Sequence, residues 1–300
     1  MAKVIKTIAV VGGAGFMGSH AADALSSAGY NVRVFDKTPS KWIKNNQTMI
    51  IGDLLDTDAL ERLLQGCDVV FHFAGLADLN QALDKPLEAA NINILGTINL
   101  LEACRRTDVN RFIFASTMYA YSRDGGFYRC SKIAAEEYIR EYQHRYGLDY
   151  TIMRFSSLYG PRSNESNNLY RIIKEASQTG LIHYKGNKDA IREYLHVYDM
   201  ANTCVEVLEA SYSGKTLVLT GQETKSILDI LEILAEILDI PSDTIEFTED
   251  NENGHYIRTP YALKKPNLAY KYSPSSHIDI GQGLMQLIED VQKTLYLDKI

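Results

Sequence analysis

Over its first half the chain alternates short apolar runs with longer stretches in which apolar residues recur every three or four positions. Residues 7–11, 31–36, 49–54, 67–75, 111–115 and 148–155 read as strands, several apolar enough to be covered on both faces. The stretches opening near His20, Ala59, Asn91 and Ser131 carry the period of amphipathic helices, and Gly29 is placed to stop the first. So regular an alternation predicts an α/β fold, a doubly wound parallel sheet. After Phe155 the rhythm changes: residues 156–168 are polar and turn-rich. Helices are predicted at 169–178, 197–210, 227–238 and 283–296, with one more strand at 216–220. Residues 1–155 with about 193–221 are assigned to the sheet domain. Residues from about 156 to 192, with 222–300, form a smaller domain over the sheet's C-terminal edge, where ligands bind in open α/β sheets.

The first strand runs into Gly12-Gly-Ala-Gly15-Phe-Met-Gly18 and then a helix. Glycines at 12, 15 and 18 let the backbone turn sharply, approach a pyrophosphate and pack the helix against the strand. The helix N-terminus, opened by Phe16 and Met17, offers its N–H groups and dipole to the phosphates. Asp36 ends the second strand, 18 residues after Gly18, where a carboxylate accepts hydrogen bonds from an adenosine ribose and repels a 2′-phosphate. NAD is therefore the expected cofactor, with Lys37 leaving NADP open. Asp53, beside Leu54, is placed to meet the adenine amino group. Phe73, Ala74 and Gly75 end a strand where the cofactor would pass close to the backbone, and Asn93 is taken to point back toward the site. His72, inside that apolar strand, reads as a core histidine.

The stretch from Ser116 to Lys132 carries the candidate chemistry. Tyr128 and Lys132 are four apart, one turn along one face if the helix has begun by Tyr128. A phenol is a poor base, with an ordinary pKa of about 10. A neighbouring ammonium would favour phenolate and make it a usable proton acceptor. Thr117, with Ser116 beside it, would hold a substrate alcohol against the phenol. With 19 tyrosines in the chain a Tyr-x-x-x-Lys pair arises readily by chance, so its context carries the assignment.

Composition adds exclusions. A net charge of −7 gives no electrostatic reason to expect nucleic acid or an anionic membrane as partner. No apolar segment approaches a membrane span, and the first apolar run is too short for a secretory leader. The four cysteines have no metal-ligand spacing, so no metal and a reducing, cytoplasmic setting are expected.

Taken in order, these residues resemble the extended short-chain dehydrogenase/reductase family, in particular its nucleotide-sugar epimerases and dehydratases. The series is Gly12-x-x-Gly15-x-x-Gly18, Asp36, Asp53-Leu, His72-Phe-Ala, Asn93, Ser116-Thr117, Tyr128-x-x-x-Lys132, Arg154, Leu158-Tyr-Gly-Pro-Arg162 and Arg192-Glu-Tyr-Leu-His-Val-Tyr-Asp199. The resemblance spans nearly the whole chain and implies a Rossmann domain that binds NAD. Thr117, Tyr128 and Lys132 would be the catalytic residues, and Lys132 would also hold the nicotinamide ribose. Arg192 and Arg258 would bind the diphosphate of a nucleotide sugar, near Ser157, and a homodimer would form through helices near 88–106 and 131–146. Three departures stand out. Only eleven positions separate Thr117 from Tyr128, where the family carries a longer loop. Met118-Tyr119 replaces the Asp-Glu pair with which the 4,6-dehydratases remove water, and Ser157 stands where an Asn often contacts the diphosphate. The expected activity is epimerisation at C4 of a nucleotide sugar through a 4-keto intermediate. A nucleotide-sugar reductase or dehydrogenase on the same residues is the alternative, ahead of a 4,6-dehydratase or a non-catalytic dinucleotide-binding protein.

Overall fold

Eight strands, all parallel, build one sheet in the computed structural model, which describes residues 5–248, 255–260, 269–274 and 276–297. They are β1 (Thr7–Val11), β2 (Asn31–Asp36), β3 (Gln47–Ile51), β4 (Val69–His72), β5 (Arg111–Thr117), β6 (Asp149–Phe155), β7 (Lys215–Leu219) and β8 (Tyr270–Lys271), ordered β8-β7-β6-β5-β4-β1-β2-β3. The helices α1 (Phe16–Ser27), α2 (Thr57–Leu64), α3 (Gly96–Arg106), α4 (Gly126–Tyr146) and α6 (Val197–Glu206) cover its two faces, and α5 (Asn168–Thr179) lies outside it. Successive strand residues point to opposite faces, so each strand feeds two cores. Ile8, Val10, Phe71, Ile113 and Met153 pack on α1 and α6. Ala9, Val11, Val70, Phe112 and Ile152 pack on α2, α3 and α4. The near-continuous apolar character read from these strands follows from this double burial. The doubly wound parallel sheet is as expected, extended at one edge by the two-residue β8, too short to carry a period-2 signal.

A third core joins α5, α7 (Ile227–Leu238) and α8 (Ile280–Leu297) around Tyr159, Ile173, Leu231, Leu234, Leu284 and Leu287. Helix α7 opens on a capping box, in which the Ser226 hydroxyl accepts from the Asp229 amide and the Asp229 carboxylate from the Ser226 amide. Three two-stranded ladders tie this unit together: Leu158–Tyr159 with Leu195–His196, Ile191–Arg192 with Lys225–Ser226, and Ile182–Lys185 with Ile245–Thr248. The last pairing falls in a stretch that reads as irregular, because its partners are far apart in sequence. Arg192 is carried into place by the second.

One predicted helix is built differently. Residues 91–105 read as continuous, but the chain runs through Pro86–Ala90, a single π turn at Asn91–Leu95, and then α3. Such turns often mark functional positions. This one buries Asn93, whose amide is satisfied within the fold as described below.

Candidate active site

The strand order reverses between β1 and β4, so the crevice at their C-terminal ends is where an open α/β sheet binds its ligand. Gly12 has φ +82, and a Cβ there would lie 2.4 Å from the Ala74 amide nitrogen. A Cβ on Gly18 would lie 2.2 Å from the Gly12 carbonyl oxygen, which is how closely α1 packs on the turn. Gly15 is exposed, with only the Gly12 oxygen at 3.3 Å near its hypothetical Cβ. Helix α1 begins beside it with no side-chain cap and no acid in its first turn. Free N–H groups at a positive dipole end, approached over bare backbone, are an anion cradle. Gly18→Ala is expected to destabilise the fold by about 1–3 kcal/mol and weaken NAD binding, because overpacking moves the turn. Thermal melts and NAD titration check this, and an unaltered NAD affinity contradicts it.

Asp36, at the end of β2, accepts a hydrogen bond from the Ala14 amide at 3.1 Å, which places its carboxylate at the turn, while Lys37 beside it is exposed. Asp53 stands exposed beyond β3 and accepts from the Leu55 amide at 2.8 Å. The residue beside it faces elsewhere: the Leu54 side chain is buried against Gly96, leaving only its backbone for a ligand. Phe16 sits half-buried at the head of α1, and Met17, Phe73 and Gly75 line the cleft that also holds Thr117, Tyr128 and Lys132. Ala74 and Phe73 both donate backbone hydrogen bonds to the Val11 carbonyl, which fixes that strand end against the glycine turn. Asn93, by contrast, does not reach into the cleft with its amide. It accepts from the Leu76 amide at 2.7 Å and donates to the Leu76 carbonyl at 3.0 Å and the Ser131 hydroxyl at 2.9 Å, pinning the Gly75–Leu76 wall to α4. His72 is a core residue, hydrogen-bonded to Thr97 at 3.0 Å, and burial lowers its pKa to about 3.

Thr117 ends β5, its hydroxyl accepts from the Tyr119 amide at 3.2 Å, and it lines the cleft together with Tyr128. The short connection closes on two glycines of positive φ, Gly125 at +92 and Gly126 at +49. This lets α4 start before Tyr128, so Tyr128 and Lys132 stand one turn apart on one face. The electrostatics differ from the expectation. Burial raises the Tyr128 pKa to about 12, partly offset by the Thr117 hydrogen bond. Burial also lowers Lys132 from 10.5 to about 7, against the opposing field of Glu136. Removal from water decides both shifts, because both groups sit in the same desolvated wall. The Lys132 ammonium rests 4.1 Å from the Phe114 ring centroid.

One turn beyond Lys132, Glu136 anchors a buried cluster. It accepts from the Ser116 hydroxyl at 2.6 Å, from Arg154 Nε at 2.9 Å, and from Arg140 at 2.8 Å. Ser116 is therefore committed to fixing the end of β5 on α4, although it borders the cleft. The cluster holds Glu136 ionised, its carboxyl below the usual range through the Arg154 hydrogen bond despite burial.

The cleft, of about 350 Å³, brings Thr117, Tyr128, Lys132, Ser157 and Arg192 to one wall system. Arg192 is buried, its guanidinium 4.9 Å from the ring centroid of Tyr256, and Ser157 lines the same cleft. Arg258 lies two residues on, exposed and outside the cleft lining. Tyr119, Tyr194, His255 and Tyr256 also line it. Sequence reasoning missed their role, since aromatic residues without periodicity or motif carry no signal until the fold assembles them.

The family model for the NAD-dependent epimerase/dehydratase family matches residues 8–219. A putative UDP-glucose 4-epimerase of Methanocaldococcus jannaschii is 27% identical, over 94% of this chain and 97% of its own. Among solved structures, a UDP-glucose 4-epimerase of Thermotoga maritima with UDP-glucose superposes with a TM-score of 0.84 at 25% identity, covering 96% of this chain and 99% of that one. A variant UDP-glucuronic acid 4-epimerase of Bacillus cereus, solved with NAD and a substrate analogue, has a TM-score of 0.84 at 26% identity and the same coverage. With the glycine cradle and the Thr117–Tyr128–Lys132 geometry in place, this chain belongs to the NAD-dependent epimerase/dehydratase family.

Proposed function

We propose that the protein is an NAD-dependent nucleotide-sugar 4-epimerase, acting on a uridine-diphosphate hexose. The observation that carries this reading is the meeting of Thr117 with Tyr128 and Lys132, the latter two one turn apart on one helix, in a cleft that also holds Arg192. The nucleotide is taken from the similar epimerases solved with UDP-glucose and with UDP-4-deoxy-4-fluoro-glucuronic acid. The glycine turn, Asp36 and Lys132 would hold NAD, which when bound accepts a hydride from C4 and returns it, and whose positive charge favours phenolate. Tyr128 takes the C4 hydroxyl proton and gives it back; Thr117 keeps that hydroxyl in line. Arg192 anchors the diphosphate by its planar fork. The chain thus contributes orientation and proton control. A dehydratase reading is disfavoured because Met118 is fully buried and burial raises the Tyr119 pKa far above its ordinary value, leaving no acid–base pair there.

Incubation of UDP-glucose with the protein and NAD, without added NADH, is expected to yield a product of equal mass with an inverted C4 proton in its NMR spectrum. Net two-unit mass change with consumption of cofactor would assign the reductase instead, and loss of water the dehydratase.

A homodimer through the face of 86–106 and α4 fits the exposure of Leu87, Leu95 and Tyr138 there. Leu95→Glu combined with Tyr138→Glu is expected to convert a dimer to monomers in sedimentation velocity. A wild-type monomer contradicts this.

A further inference from the structure

Tyr128, Lys132 and Glu136 fall at four-residue steps along α4, so all three share one face. Glu136 is the deepest of them, 1% exposed, and both of its oxygens are taken. Oε1 accepts from the Ser116 hydroxyl at 2.6 Å and from Arg154 Nε at 2.9 Å. Oε2 accepts from the other arm of Arg154 at 2.5 Å and from Arg140 at 2.8 Å. Ser116 and Arg154 are paired across β5 and β6, so one carboxylate clamps α4 to two neighbouring strands, at the residue before Thr117. The Arg154 guanidinium also lies 4.5 Å from the ring centroid of Tyr121, on the short connection between Thr117 and Tyr128. The buried cluster thus holds the segment that carries the proposed proton chemistry from behind.

We propose that Glu136 is a positioning residue that keeps Lys132 charged within a wall closed to water, and so sets the pH range in which Tyr128 can exchange protons. This rests on the roles given to Tyr128 and Lys132 in the 4-epimerase reading. A buried ammonium without a counter-charge gives up its proton. On the strand side the surroundings of Lys132 are uncharged: the Phe114 ring of β5 lies against it, and His72 of β4 is kept neutral by burial. On its own helix the Tyr128 phenol holds its proton at neutral pH, which leaves Glu136, one turn on, as the anion that acts on it. Arg154 reaches Glu136 from β6, and Arg140, a further turn along α4, is shared with Glu137 at 2.8 Å. These guanidiniums hold Glu136 ionised, and each subtracts from the negative field that Lys132 feels. Across the cleft stand Asp78, Arg171, Arg192, His255 and further phenols, which the variants below leave in place. The charge of Lys132 is thus adjustable from behind, by Glu136, Arg154 and Arg140, which lie outside the cleft lining.

The test is an NMR titration of NAD-loaded protein carrying isotope-labelled lysine, beside the pH profile of kcat/KM. The Lys132 signal is assigned by its loss in Lys132→Met. Glu136→Gln is expected to lower the Lys132 midpoint by about half a unit or more, since removing a negative charge releases the proton more easily. Arg140→Met removes a cation from the same carboxylate and is expected to raise the midpoint. The high-pH limb of kcat/KM, where the ammonium is lost, is expected to follow in both directions. Lost packing alone would lower activity in both variants without opposed shifts. A midpoint unmoved in Glu136→Gln, or moved the same way in both variants, overturns the proposal, and so does a limb that stays put while the midpoint moves. Glu136→Gln leaves Arg154 buried without its counter-charge. If it does not fold, Arg140→Met decides, because Arg140 is partly exposed and its loss leaves Glu136 bound to Ser116 and Arg154. A midpoint not raised there then overturns the proposal. Absence of turnover with every nucleotide sugar strikes the epimerase reading, while the titration still decides whether Glu136 governs the charge of Lys132.

Discussion

Tyr128→Phe is expected to lower kcat by roughly 10³-fold, within the range that a positioned acid–base supplies, while NAD affinity stays near that of the wild type. Tyr128 lines the cleft with Thr117 and stands one turn from Lys132. Phenylalanine keeps the ring, and so the packing against Tyr119, but removes the only proton that side chain can move. Folding should be little affected, since Thr117 retains its bond with the Tyr119 amide. Stopped assays of C4 inversion, together with NAD titration, read both halves. Turnover within a few-fold of wild type would remove Tyr128 from the chemistry. Loss of NAD binding alongside turnover would make its role structural.

Replacing Lys132 by Met separates function from stability. The ammonium is buried, and its pKa falls to about 7 from an ordinary 10.5. Between those values the unfolded chain binds more protons than the native one, so stability rises with pH across that window. The burden of the buried charge is full below pH 7 and absent above 10.5. Lys132→Met is therefore expected to raise Tm by a few degrees at pH 6, with the gain shrinking to nothing as pH passes the ordinary value. The same change should lower kcat roughly 10²-fold and weaken NAD binding, because on the proposed reading Lys132 supports Tyr128 and would hold the cofactor ribose. A lower Tm at pH 6 would mean that Lys132, through Phe114 and Glu136, stabilises the fold. Glu136 itself keeps Arg154 and Arg140 as partners in the variant, so no carboxylate is left stranded.

The sheet was legible because parallel strands buried on both faces read as short, β-branched apolar runs, here alternating regularly with amphipathic helices. The glycine turn was legible because backbone approach excludes every other residue at Gly12 and Gly18. Tyr128 and Lys132 were legible because helical spacing turns a four-residue interval into proximity. What the chain did not reveal is what long-range packing decides. Asn93 and Ser116 look like site residues by position, yet each is spent on a buried hydrogen bond that shapes the wall behind the cleft. Leu54 follows a plausible ligand, Asp53, but faces Gly96. The Tyr128 pKa depends on how much water the folded site excludes, which no spacing encodes. The His255–Tyr119 contact joins residues 136 positions apart.

In the proposed reaction C4 is oxidised and reduced again within one site, with Tyr128 handling only the hydroxyl proton. UDP-glucose carrying deuterium on C4 tests it most directly, followed by mass spectrometry and NMR of the product formed in ordinary water. The C4-inverted product is expected to keep its deuterium at C4. Deuterium lost to water would place proton abstraction at carbon and contradict that mechanism.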